Sequence, residues 1–289
     1  MSSSSNFSGD IDTRMRVILA IVVVAIIAVI TVVVVKVGTG TSSSANTEAS
    51  ADIMKKVSTV PDSVFASVGA GTVKTLPSVI ANPQAFTKDN KPSILYVGGE
   101  FCPYCATQRW PVVVALSRFG TFSGLKITHS ASADVYPNTQ SFSFHGSSYT
   151  SQYVDFQGVE TMDNVQHGTS YGTLDTLTAD QQNIVNTYDA APYVPSQSAG
   201  SVPFIYYGKY LSNGSSYDPS ILQGKSADDI AAALANPDDA ISKGVIGTAN
   251  SLTATICILT NDQPGNVCTL PVIQSLETQI KAQTATVNK

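Results

Sequence analysis

The sequence predicts an α/β fold around a central sheet, preceded by one N-terminal transmembrane helix. Three observations carry that prediction. A short apolar run, Ser93-Ile94-Leu95-Tyr96-Val97, is bounded by Lys91-Pro92 and a Gly pair and leads into a helical stretch. Further strand-like runs follow at Leu125–Ser130 and from Val202 to Tyr207, before the pattern turns helical from Ser226. Near the start, Val17–Val35 is uninterrupted apolar sequence apart from Thr31.

Taken in order, residues 1–16 read as a short polar tail and residues 17–36 as the anchor. At about 1.5 Å per residue that segment nearly crosses a ~30 Å hydrocarbon core. No small-residue cleavage site follows it directly, so an uncleaved anchor is expected. Arg14 and Arg16 precede it, and after Lys36 no basic residue occurs until Lys55. The positive-inside rule then predicts a single-pass protein of the cell membrane, N-terminus cytoplasmic and C-terminal body extracytoplasmic. Residues 37–53 read as a Ser/Thr-rich linker, and residues 54–289 as the extracytoplasmic domain.

Within that domain the strand at Ser93–Val97 is followed by a helix running to about Phe119 and stopped by Gly120. Leu125–Ser130 alternates like a strand, and Ser141–His145 and Tyr153–Val159 are strand-like. Thr178–Tyr188 has a capping residue and helical spacing. A strand opens at Val202, and Asn213-Gly214 marks a hairpin turn and an acceptor sequon with Ser215. Helical stretches follow from Ser226, over Asp238–Thr260 and over Leu270–Gln283.

Charged residues make up 13% of the 289 residues, and the net charge is −5. No basic cluster occurs, which argues against nucleic acid as a partner, since phosphate binding needs concentrated Lys and Arg.

Chemistry concentrates in Phe101-Cys102-Pro103-Tyr104-Cys105, at the predicted strand-to-helix turn. A thiolate, not a thiol, attacks disulfides, and a free cysteine at about pKa 8.5 is mostly protonated at neutral pH. A sulfur at a helix N-terminus faces unpaired N–H groups and the positive end of the macrodipole. Cys102 falls near the N-cap, and Pro103 at the first helical position gives up only an N–H that is unpaired anyway. Cys105 lies one turn on. This spacing makes Cys102 the attacking thiolate and Cys105 the resolving thiol.

Three blander readings stand beside that one. A structural Cys102–Cys105 clip would close a loop too short to stabilise much by chain entropy. Zinc usually takes two such knuckles, but Cys257 and Cys268 are too far apart to form the second. Copper would favour nearby His or Met, and His129, His145 and His167 are scattered. No metal and no cofactor are expected. Cys257 and Cys268 bracket a loop with Pro264-Gly265 turn chemistry and read as a structural disulfide, with a second redox pair as the alternative. Trp110 and Pro111 read as core and kink; Phe101, Tyr104 and Phe204 read either as a rim around the thiol or as packing.

The strand, the FCPYC motif, a helix interrupted by Pro111 and the distant Ser201-Val202-Pro203-Phe204 resemble the thioredoxin superfamily, closest to its DsbA-like and glutaredoxin-like branches. The resemblance implies a thioredoxin-like fold with an insertion at about 131–200, and a cis-proline at Pro203, after Val202, facing the dithiol. The whole chain also resembles the membrane-anchored archaeal proteins grouped as domain of unknown function 929. The N-terminal segment, GGEFCPYC with QRW after it, and the C-terminal cysteine pair carry that likeness. One departure is that the buried acid six residues before the first cysteine in several superfamily members is here Tyr96. Glu100, the nearest acid, reads as a solvated turn residue, or as a base acting through water.

The resemblance implies a membrane-anchored thiol–disulfide oxidoreductase that oxidises or isomerises protein disulfides, with protein thiols and disulfides as partners and a quinone-linked or other electron carrier in the membrane. The alternatives are a reductase fed by such a carrier, a non-catalytic binding module of the same fold, and a copper chaperone.

Overall fold

A computed structural model of the chain describes residues 46–283. In chain order its central sheet takes β1 (Ser78–Val79), β2 (Thr87–Lys88), β3 (Lys91–Gly98), β4 (Asp155–Glu160), β5 (Phe204–Tyr206) and β6 (Tyr210–Asn213). The helices used below are α1 (Pro103–Leu116), α2 (Ala179–Tyr188), α3 (Ala240–Leu259) and α4 (Pro271–Lys281). The pivot of the sheet is β3. Antiparallel β5 pairs with one edge, with β6 and then β1 beyond it. Parallel β4 pairs with the other edge over Ser93–Gly98, and β2 with the first two residues of β3.

The apolar run of β3 does not alternate because both its faces are buried. Ile94 and Tyr96 enter the larger core, with Trp110 and Val113 of α1, Leu252 and Ile256 of α3, and Ile273 and Ile280 of α4. Leu95 and Val97 enter the opposite core, with Ile184 and Tyr188 of α2 and Phe204 and Tyr206 of β5. Three smaller sheets flank this frame. Lys126–His129 pairs with Gln140–Ser143 and Thr47–Glu48, Gly120–Ser123 pairs with Ser148–Ser151, and Met162–His167 forms a hairpin with Ser170–Thr173.

Helix α1 is buried along its whole length except at Tyr104. Pro111 lies inside it and removes the N–H that would bond the Thr107 carbonyl. The Tyr217 hydroxyl donates to that carbonyl instead, at 2.9 Å, so the break leaves no orphaned acceptor. The indole N–H of Trp110 donates to the Gln140 carbonyl at 3.0 Å. These two bonds fix α1 against the neighbouring segments.

Two expectations are corrected. The sequence predicts a fold preceded by a transmembrane helix, in a single-pass protein of the cell membrane with a cytoplasmic N-terminus. The described residues form a mixed α/β fold with several sheets, and no helix among them is long and apolar enough to cross a membrane. The longest, α3, has 20 residues, but Lys243, Asn250 and a series of Ser and Thr interrupt it. The tail expected over 1–16, the anchor over 17–36 and the first part of the linker lie outside the described residues.

Smaller differences have local causes. Helix α1 ends at Leu116, before Phe119, because the Phe119 N–H bonds the Leu116 carbonyl in a tight turn, and Gly120 opens a strand. The β5–β6 hairpin turns at Tyr207–Lys209, where Gly208 takes a φ of 77°, and not at Asn213-Gly214; Asn213 is the last residue of β6. The segment 131–200 contributes β4 and α2 to the central layers.

Cys257, in the last turns of α3, is disulfide-bonded to Cys268, 11 residues on, and both are buried. The bond closes the connection from α3 to α4. The variant Cys257→Ala/Cys268→Ala should lose about 2–4 kcal/mol of stability, read from the urea midpoint. Wild type in reductant should lose the same amount.

Candidate dithiol site

The two free cysteines lie where β3 gives way to α1. Cys102 is the N-cap of α1, with extended backbone (φ −80°, ψ 122°), and Pro103 occupies the first turn. The Cys102 sulfur accepts the Cys105 backbone N–H at 3.3 Å, in the place a Ser or Asp cap would hold. The Cys102 thiol also donates to the Val202 carbonyl at 3.5 Å. The Val202–Pro203 peptide is cis, and the Pro203 carbonyl accepts the Gly214 N–H at 2.8 Å. Cys102 is 5% exposed and Cys105 0%.

This environment separates the two sulfurs. A hydrogen bond from the Cys105 thiol holds the Cys102 thiol below the usual cysteine range, against burial. The Cys105 N–H and the Arg109 charge act in the same direction. Burial pushes the Cys105 thiol well up, and its bond to Cys102 pushes it further. One sulfur is ready to ionise while its neighbour stays protonated, which is the asymmetry that nucleophile and resolving thiol require.

Beneath them lies a charged pair. Arg109 and Glu160 are both 0% exposed and joined by two bonds, Nε to Oε1 at 2.7 Å and Nη2 to Oε2 at 2.6 Å. The same Nη2 donates to the Gly99 carbonyl at 2.7 Å, in the turn before the dithiol. Burial disfavours the Arg109 charge, but the Glu160 carboxylate, with smaller contributions from Tyr96 and Cys105, holds the guanidinium well above its ordinary value. Tyr96 is fully buried beside them, with its phenol pushed well up by burial. Gly98 packs against that ring; a Cβ there would meet the Tyr96 hydroxyl at 2.6 Å.

Glu100 is not a solvated turn residue. It is 1% exposed, and its carboxylate accepts from Asn46 Nδ2 at 2.7 Å and Thr128 Oγ1 at 3.2 Å. Backbone pairing explains the burial, because the Glu100 N–H bonds the Met162 carbonyl and draws the turn under the hairpin. Phe204 is 0% exposed in the core and forms no rim, Phe101 stacks on Tyr171 at 4.5 Å, and Tyr104 is 40% exposed. Cys257 and Cys268 belong to the α3–α4 connection and take no part in the site.

Sequence reasoning missed Arg109, Glu160 and Asp189. A lone charge four residues after Cys105, on the same face of a helix otherwise free of charge, is the signal for Arg109. Nothing local marks Glu160 as its partner. Asp189 caps the end of α2 and braces the proline loop: its carbonyl accepts the Gly200 N–H, and its carboxylate accepts Asn213 Nδ2 at 2.8 Å. Asn213 also donates to the Ser201 carbonyl at 3.3 Å.

Fold and site together define a mixed α/β protein whose buried dithiol caps a helix beside a cis-proline. A family model described as Domain of unknown function (DUF929) matches residues 77–258, more than half of the chain, and the chain belongs to that family. The matched span holds Cys102, Cys105, Arg109, Glu160 and Pro203. No curated protein and no solved structure matches the chain.

Burial pushes the Asp189 carboxyl up to about 7, and the Asn213 amide pulls it back only in part. The folded state therefore holds this proton more tightly than the unfolded chain, and stability falls as pH rises from about 4 through 7. Asp189→Asn should flatten that slope and gain on the order of 1 kcal/mol at pH 8, measured by denaturant midpoints across pH.

Proposed function

We propose that this protein is a thiol–disulfide oxidoreductase acting on protein thiols and disulfides through Cys102 and Cys105, and a divergent member of the thioredoxin superfamily. The observation that carries the reading is the Cys102 sulfur at the N-cap of α1. It accepts the Cys105 N–H at 3.3 Å, lies 3.5 Å from the Val202 carbonyl, and sits above a fully buried second thiol. The strand order supports the superfamily assignment. A strand feeds the dithiol helix, a parallel strand pairs beside it, and an antiparallel hairpin begins directly after the cis-proline.

In the oxidising direction, a substrate thiolate attacks Cys102 Sγ of the Cys102–Cys105 disulfide. A mixed disulfide forms, and Cys105 leaves as a thiolate and takes a proton. A second substrate thiolate then attacks the substrate sulfur of the mixed disulfide, forming the substrate disulfide and releasing the Cys102 thiolate. Two electrons pass to the dithiol, and an external disulfide must reoxidise it. The contacts that hold Cys102 below the usual cysteine range stabilise the reduced form, and stabilising that form makes the couple more oxidising. This favours oxidation over reduction of partners.

Cys102→Ser should lose more than about 100-fold in disulfide exchange, since the attacked sulfur is gone. Given a substrate disulfide, Cys105→Ser should instead stall after the Cys102 thiolate attacks it and releases one substrate thiolate. The mixed disulfide left on Cys102, which no Cys105 thiol resolves, should be visible by intact-mass spectrometry and absent in wild type. Full exchange by Cys102→Ser, or a Cys102–Cys105 couple below about −300 mV, in the structural range, would contradict the reading.

A further inference from the structure

Among the described residues, the large hydrophobic side chains left exposed are Tyr104 (40%), Val135 (66%), Met162 (39%) and Val165 (37%). All four lie on segments that meet the dithiol turn. Tyr104 sits between the two cysteines, and its ring packs edge-on against Tyr136, 6.0 Å away, next to Val135. That loop is tied down where the Ala131 N–H bonds the Phe101 carbonyl at 2.8 Å. Met162 and Val165 belong to the hairpin Met162–Thr173, held by the Glu100 N–H on the Met162 carbonyl and by Phe101 stacked on Tyr171. The two residues before Cys102 thus anchor both the loop and the hairpin.

The charge pattern narrows what this collar would accept. Between Lys126 and Lys209 the sequence has no lysine or arginine, and Asp134 and Asp163 lie within the collar segments. Arg109, whose charge acts on both sulfurs, is fully buried and committed to Glu160. The collar segments offer a small anionic thiol no lysine or arginine to hold its carboxylates. An extended polypeptide would find scattered apolar contacts around a sulfur that is itself almost covered.

On the oxidoreductase reading above, we infer that the loop around Val135 and Tyr136 and the hairpin carrying Met162 and Val165 form a substrate collar. It selects neutral or cationic polypeptide segments in which the reacting cysteine is flanked by large apolar side chains. Tyr104, on the dithiol helix, completes it. The collar residues determine specificity and carry no chemistry, so their loss should act on KM rather than on the exchange step.

The test uses the full-length protein with three substrates: hydroxyethyl disulfide, a peptide disulfide with Leu and Phe beside the cysteines, and the same peptide with Ser at those positions. Wild type should exchange with all three and favour the apolar peptide by about tenfold in kcat/KM. Met162→Ser/Val165→Ser, at two exposed positions, should lose that preference through KM and keep wild-type rates with the Ser peptide and with hydroxyethyl disulfide. Equal kcat/KM for the two peptides in wild type, or an equal loss with all three substrates in the variant, would overturn the collar while leaving the dithiol chemistry standing. No exchange between wild type and hydroxyethyl disulfide would overturn the oxidoreductase reading itself, and the collar with it.

Discussion

The buried pair between Arg109 and Glu160 is the constraint on which the dithiol depends. It joins the middle of α1 to the last residue of β4, and through the Gly99 carbonyl it holds the turn that presents Cys102. Removing two charges from water costs several kcal/mol per ion before their attraction is counted, so such pairs add little net stability. Two short bonds and full burial make this one a positioning device. It fixes a positive charge beside two sulfurs that, on the proposed chemistry, share one negative charge. The charge stays in place whether or not a partner covers the site, because neither group reaches solvent.

That device also accounts for the shape of the surrounding fold. Glu160 reaches Arg109 because β4 runs parallel to β3 in register from Ser93 to Gly98, which brings Glu160 opposite Gly98. The far side of Glu160 is held by Asp175, whose carboxylate accepts the Glu160 N–H at 3.0 Å and also bonds His145 Nδ1 at 2.7 Å. The strand that completes the central sheet is therefore the strand that completes the site. The segment between the dithiol helix and the cis-proline supplies both this buried half and the exposed loop and hairpin around the thiols.

Much of the frame was legible in the sequence because it is written in local rules. The run at Ser93–Val97, the Pro at the start of α1, the Thr178 cap and the apolar spacing of the last helices each need only a few neighbouring residues. What escaped was long-range. Leu125–Ser130 and Tyr153–Val159 look alike as strands, and only tertiary pairing places Lys126–His129 in a small outer sheet and β4 beside β3. Glu100 was misread as solvated because its burial depends on a backbone bond to Met162, 62 residues along the chain. The sequence leaves Phe204 between rim and packing because it cannot say which face of β5 meets the core; the side chain packs in the core. Arg109 carried a legible signal as an isolated charge in an apolar helix, whereas Glu160 could be found only from the pairing of β3 with β4. The anchor expected over 17–36 falls outside the described residues, and no helix within them answers to it.

The most direct measurement is the pH titration of the Cys102 thiolate by its ultraviolet absorbance, in Cys105→Ala, with and without the further change Arg109→Met/Glu160→Gln. Exchanging both partners together avoids leaving one charge buried alone. The account predicts that loss of the Cys105 thiol, the strongest contact lowering Cys102, raises the Cys102 titration above its wild-type position, leaving the Cys105-position N–H and Arg109 to oppose burial. It also predicts that neutralising the pair moves the titration to higher pH, by about one unit. A titration unmoved by that exchange in a protein that still folds would contradict the claim that the buried pair sets the reactivity of the dithiol.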